Sequence, residues 1–195
     1  MSNEFEVISK VMAYRRTVKT DHMNGKIIPE EWIQEIVAMA DFAPTHGRTE
    51  PLRLNIYQGD RLKEFCESHA ELYWNHTAEE KRTELKYDKL KQNADNASHL
   101  VLAMMKRSQD SKIPEKEEYA SCCASVQNML LAAEALGVSS IWSTGGMAYT
   151  ESMKSYLKLE AQDQVVGLIY LGFSDLEPKK TTRKIPLTEK INWYK

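Results

Sequence analysis

The sequence predicts an α+β domain with one central mixed sheet flanked by helices. Three observations lead there. Strand-like runs alternate with helical ones through the middle of the chain. Two leading helices and a trailing extended arm break the regular order of a doubly wound fold. No GxGxxG follows a strand, and no GxxxxGK[ST] occurs. The 195 residues suit one domain, 1–195, with no repeat, low-complexity tract or linker to divide it.

The elements follow in order. Residues 5–14 place Phe5, Ile8 and Met12, with Val11 at the margin, on one helical face expected to be buried. Pro29-Glu30-Glu31 opens a second helix, because proline and acids suit a first turn. Its stripe of Trp32, Ile33, Ile36, Val37 and Ala40 is expected in the core. Residues 52–57 alternate as a strand, and a short helix covers 60–72. Residues 78–94 are helical by propensity but carry little apolar surface, which predicts a lid. Tyr73 and Trp74 just before it either stack on a flat substrate or anchor the helix end. Residues 98–105 form a buried strand. Residues 119–136 form a helix rich in small residues, which Gly137 stops. A strand over 138–142, a Gly-rich turn, a helix over 150–159 and a strand over 164–173 complete the domain. The basic, proline-punctuated arm 174–195 is expected to be extended.

Composition excludes several classes. Hydrophobic residues at 42% and charged residues at 28% are ordinary for a globular domain. A net charge of -2 argues against nucleic-acid binding. No run approaches the ~18–20 apolar residues of a membrane span. The first residues carry acids where a secretory signal would be basic and then apolar, so a cytoplasmic location is expected. Cys66, Cys122 and Cys123 make no disulfide framework, and no CxxC or HxxxH spacing offers a metal site. Cys122 and Cys123, among alanines and serines, read as helix packing.

Two stretches carry chemistry. Arg15-Arg16-Thr17-Val18-Lys19 ends the first helix. It reads either as cations complementing a helix C-terminus or as guanidinium forks and a lysine converging on a polyanion. Ala43-Pro44-Thr45-His46-Gly47-Arg48-Thr49-Glu50-Pro51 turns sharply between a helix and a strand, where binding residues gather.

These two, followed by Trp142-Ser143-Thr144-Gly145-Gly146 and the basic arm, occur in an order that resembles the FMN-dependent nitroreductase family. The resemblance runs from Phe5 to Arg183. It implies a nitroreductase-like fold and an intertwined homodimer, with FMN at the interface and the extended C-terminal arm exchanged between subunits. It further implies that Arg15, Arg16 and Thr17 hold the FMN phosphate and ribityl chain, and that Lys19 lies near the pyrimidine edge. His46 reaches the cofactor, Trp142, Ser143, Thr144 and Gly145 pass along the isoalloxazine, and Arg183 closes on the phosphate. Glu50 stands where glutamine is frequent and Leu52 where tryptophan is common; Glu50 either pairs with Arg48 or Arg53 or faces the flavin, where its carboxylate would disfavour an anionic reduced form.

The activity so implied is ping-pong hydride transfer from NADH or NADPH, through flavin N5, to a small-molecule electron acceptor such as a nitro compound or quinone. A cation such as Lys19 would stabilise charge developing at the pyrimidine carbonyl. No catalytic acid, base or nucleophile is required. Two alternatives stand beside it: another flavin chemistry (dehalogenation or flavin breakdown), and a non-catalytic binding module. Against dehalogenation, no Glu lies four residues before a Tyr within 70–95.

Overall fold

A computed structural model describes residues 2–107 and 112–195. Its helices are α1 (Asn3–Tyr14), α2 (Glu30–Ala38), α3 (Gly59–His76), α4 (Glu84–Asn96), α5 (Glu115–Ala135) and α6 (Glu151–Tyr156). Its strands are β1 (Leu52–Gln58), β2 (His99–Met105), β3 (Ser139–Ser143) and β4 (Gln164–Gly172), in the order β1-β2-β4-β3. The strand pairs are all antiparallel. Among the described residues, the parallel component expected of a mixed sheet is confined to an isolated bridge between Thr17 and Ser140.

The two inner strands explain the architecture. Every residue of β2, and all of β4 but Gln164, is buried, so both sheet faces must be covered. On one face α3, α4 and α6 supply Leu62, Phe65, Tyr73, Leu90 and Met153. On the other, α2 and α5 supply Ile33, Ile36, Val126, Met129 and Leu130. Burial of this kind contributes ~1.5–3 kcal/mol for each large apolar side chain. The small residues of α5 let it lie close on the sheet, with Ser121, Cys122, Ser125 and Ala133 all buried.

Several expectations need correcting. The face of α1 that carries Phe5, Ile8 and Met12 is about half exposed, and the helix has no buried residue. Trp32 also stands outside the α2 core and meets Phe173 edge-on, with ring centroids 6.1 Å apart. The reason is angular: Ile33 and Ile36 face the sheet, and Trp32 sits about 100° round the helix from Ile33.

The helix expected from residue 78 starts at Glu84, because Thr83 caps it by accepting the Lys86 N–H. Tyr73 is buried in α3, and its hydroxyl accepts the Thr83 N–H at 2.9 Å. Trp74 takes Arg82 over its ring, 4.4 Å from the centroid. This aromatic pair therefore joins α3 to α4, and Tyr73 presents no free ring to a substrate.

Candidate functional site

The loop after α1 is drawn against β3. Val18 donates its N–H to the Ser140 carbonyl at 3.0 Å, which sets residues 17–19 along the outer edge of that strand. Arg15 is half-buried, while Arg16, Thr17 and Lys19 are exposed. Arg15 lies by Glu134 at the end of α5; burial pushes that carboxyl up, and Arg15 pulls against it.

The arm closes over this loop. Arg16 Nη1 donates to the carbonyls of Lys179 at 3.0 Å and Lys180 at 2.8 Å. Thr181 donates its N–H to the Ala13 carbonyl at 2.7 Å and its hydroxyl to the Arg15 carbonyl at 3.2 Å. A cleft of about 370 Å³ remains, lined by Arg16, Thr17, Glu134, Ser139, Ser174 and Lys179 among others. Arg183 follows Thr181 by two residues on the exposed arm. Five cations, Arg15, Arg16, Lys179, Lys180 and Arg183, thus come from two chain segments that are far apart in sequence. An anion meeting such a set gains charge-assisted hydrogen bonds, which are about twice as strong as neutral ones.

β3 leads from this cleft to Trp142, Ser143, Thr144 and Gly145. The indole of Trp142 is committed to the sheet. Its Nε1 donates to the Val166 carbonyl at 3.0 Å, and the ring lies so close to Gly167 that an added Cβ would stand 2.0 Å from Nε1. Thr144 and Gly145 are exposed at the strand exit.

His46 lies elsewhere. Its bend turns through positive φ at Gly47 (61°), Arg48 (54°) and Glu50 (45°), and the latter two store strain as non-glycine residues. Ser121 ties the bend to α5 by donating to the Pro44 carbonyl at 2.8 Å. His46 Nδ1 pairs with Glu117 Oε2 in the first turn of the same helix. Among the described residues no ion pair joins Glu50 to Arg48 or Arg53; Arg53 bonds the backbone carbonyls of Glu50 and Leu52 instead. Glu117 and Glu134 mark the two ends of α5, whose 21 residues span ~30 Å. One copy therefore does not bring His46 to Arg15.

One polar residue beneath the site escaped the sequence reading. His69 is buried on α3, and its Nε2 accepts the Met147 N–H at 2.9 Å, just beyond the Gly145-Gly146 turn. Its signal was present: Leu62, Phe65, Cys66, His69 and Tyr73 form one apolar stripe that contains an imidazole. Thiol chemistry finds no support, since burial pushes the thiols of Cys66 and Cys122 up to about 12. No group of three or more His, Cys, Asp or Glu among the described residues is arranged to hold a metal ion. No described helix is long and apolar enough to cross a membrane.

Comparison with known proteins decides the family. The family model described as "Nitroreductase family" matches residues 12–173. The chain belongs to the nitroreductase family. Among curated relatives of this nitroreductase-family protein, "Putative NAD(P)H nitroreductase YfhC" of Bacillus subtilis (strain 168) is 19% identical over 189 residues, covering 97% of this chain and 95% of the relative. A solved nitroreductase-like family protein from Bacillus cereus is similar at a TM-score of 0.77 and 26% identity, covering 96% and 95% of the two chains. A nitroreductase with bound FMN from Desulfitobacterium hafniense DCB-2 superposes at a TM-score of 0.68 and 18% identity, over 100% of both chains. The nitroreductase-like fold expected from the sequence is thereby established.

Proposed function

We propose that this protein is an FMN-dependent NAD(P)H oxidoreductase that works as a homodimer. FMN, when bound, would supply the redox chemistry of hydride transfer at N5 between NADH or NADPH and a nitro compound, quinone or similar acceptor. The observation that carries the reading is one cleft beside β3, lined by Arg16 and Thr17 from the loop and by Ser174 and Lys179 from the arm, with Arg16 tying the two segments together. Arg16 and Lys179 suit the FMN phosphate, with Arg15, Lys180 and Arg183 on the same two segments, and Thr17 and Ser139 offer hydroxyls to the ribityl chain. Lys19, exposed beside β3, would favour negative charge at the pyrimidine edge. Thr144 and Gly145, with Ser143 and Trp142 behind them, would border the ring. Names support the same reading: a curated relative is named for NAD(P)H and a structural neighbour for bound FMN.

The dimer is supported by what one copy leaves uncovered. Phe5, Ile8 and Met12 form an apolar face on α1, and Ile185, Leu187, Trp193 and Tyr194 lie exposed along the arm. β1 is an open edge of the sheet. A second copy, with the arm crossing over beyond Arg183, would cover these surfaces. It would also bring a His46 to the Arg15 cleft, which the length of α5 prevents within one chain.

The deciding experiment is the visible spectrum of the purified protein, with mass analysis of whatever heat releases. A flavin spectrum and free FMN support the reading, and anaerobic bleaching by NADH and NADPH then identifies the donor. Protein that is colourless and does not take up added FMN overturns it, leaving a binding module of the same fold.

A further inference from the structure

His69 sits on the buried stripe of α3 and is 2% exposed. A polar ring in such a place costs free energy unless its nitrogens are partnered. Nε2 is partnered, accepting the Met147 N–H at 2.9 Å. A ring nitrogen that accepts carries no hydrogen, so the neutral ring holds its proton on Nδ1. That atom is buried without a hydrogen-bond partner among the described residues. A leucine here would fill the same apolar space and spare the Nδ1 penalty, but it would leave the Met147 amide unpaired.

The turn is shaped to receive the ring. Gly146 has φ +66°, and a Cβ there would stand 2.4 Å from His69 Nε2, 2.8 Å from Cε1 and 3.1 Å from Leu90 Cδ2. Beyond it the Met147 carbonyl accepts the Thr150 N–H at 3.0 Å and the Thr150 hydroxyl at 2.7 Å, which starts α6. The backbone leaving Ser143 is thus gripped on both sides of Met147, by α3 and by the cap of α6.

We propose that His69 is a positioning residue of the cofactor site, fixing the Gly145–Met147 turn through the Met147 N–H and so setting where Ser143, Thr144 and Gly145 lie. The inference rests on the flavin reading above, in which those residues border the isoalloxazine. His69 touches no cofactor itself. It acts through one backbone amide.

The test compares His69→Gln, whose side-chain oxygen can accept near the position of Nε2, with His69→Leu, which cannot accept. FMN affinity is read by fluorescence titration of folded protein, alongside the thermal midpoint. The expected result is affinity weakened about tenfold or more in H69L and kept within about threefold in H69Q, the size of effect one buried hydrogen bond carries. A folded H69L that binds FMN like the unaltered protein overturns the proposal. So does equal loss in both variants, because a purely structural ring would not distinguish them.

If H69L does not fold, the unaltered protein still decides. Long-range 1H–15N NMR is expected to show the Nδ1–H tautomer, and hydrogen exchange a protected Met147 amide. The Nε2–H tautomer or a fast-exchanging amide sinks the idea. Unaltered protein that takes up no FMN removes the flavin reading and this inference together, whereas FMN binding with an unaffected H69L removes the inference alone.

Discussion

Arg16 holds Lys180: its guanidinium Nη1 donates to the Lys180 carbonyl at 2.8 Å, across 164 positions of sequence. The bond uses a backbone acceptor, and among the described residues no ion pair engages the ammonium groups of Lys179 and Lys180, which leaves them to meet an anion. Arg16→Ala should therefore remove one cation and loosen two others. Isothermal titration should show FMN binding weaker by about tenfold to a hundredfold, as expected for charge-assisted bonds worth ~1.5–3 kcal/mol. Arg16→Lys should recover little, since the ammonium is a compact point charge without the planar donor set and reach of the guanidinium. Undiminished binding by R16A would move the phosphate site away from this loop.

Acid should destabilise the fold through His69. Burial, with a smaller push from Lys86, pulls its imidazole from the ordinary 6.5 down to about 4. Between those values the unfolded chain binds a proton that the folded chain refuses. The contribution is complete above pH 6.5 and is lost as pH falls towards 4, for a total of about 3 kcal/mol. Urea unfolding across this window should show the slope, and His69→Gln should make it shallower by the His69 share. Burial lowers His99 as well, which adds loss of the same sign.

Gly167→Ala should disturb Trp142. The added carbon would stand 2.0 Å from Nε1 and 2.4 Å from Cδ1, so the indole must leave its place on the sheet. Overpacking of this kind costs ~1–3 kcal/mol. The thermal midpoint should drop, and tryptophan fluorescence should shift red as the ring reaches water. An unchanged spectrum would mean that the ring has room to move.

If the protein is the proposed homodimer, charging the open face of α1 should separate its subunits and leave each one folded. Ile8→Glu with Met12→Glu alters two side chains that are 49% and 54% exposed in a single copy, so each chain keeps its core. Sedimentation is expected to show a monomer, with far-ultraviolet circular dichroism unchanged. A dimer that survives both charges would place the interface elsewhere.

What the sequence disclosed depended on the range of the interactions involved. Strands β2 and β4 were legible because burial on both faces leaves a plain apolar run. The stop at Gly137 was legible because a helix end is written locally. The first turn of α5 was not: its acids, Glu115, Glu117 and Glu118, look like surface loop until they are seen at a helix N-terminus, where they suit the dipole. The α1 stripe was read correctly as apolar, yet periodicity cannot say whether such a face meets its own core or another chain. Likewise the basic loop and arm could be marked as cationic, but the bonds of Arg16 to Lys179 and Lys180 depend on the tertiary path. His69 was missed because a lone imidazole on a helix gains meaning only from the Met147 amide it faces.

The length of α5 has a genetic consequence. If every active centre takes its cations from one polypeptide and its His46 from the other, damage at the two places need not coexist in one centre. A polypeptide altered only at Arg16 and another altered only at His46 would each form defective pairs with themselves. Mixed after unfolding and refolding together, they would assemble hybrids in which one centre collects both lesions and the other collects neither. Random pairing in a two-fold assembly would make about a quarter of all centres whole. Two inactive preparations would thus yield an active one, and no rearrangement within a single polypeptide could produce that recovery.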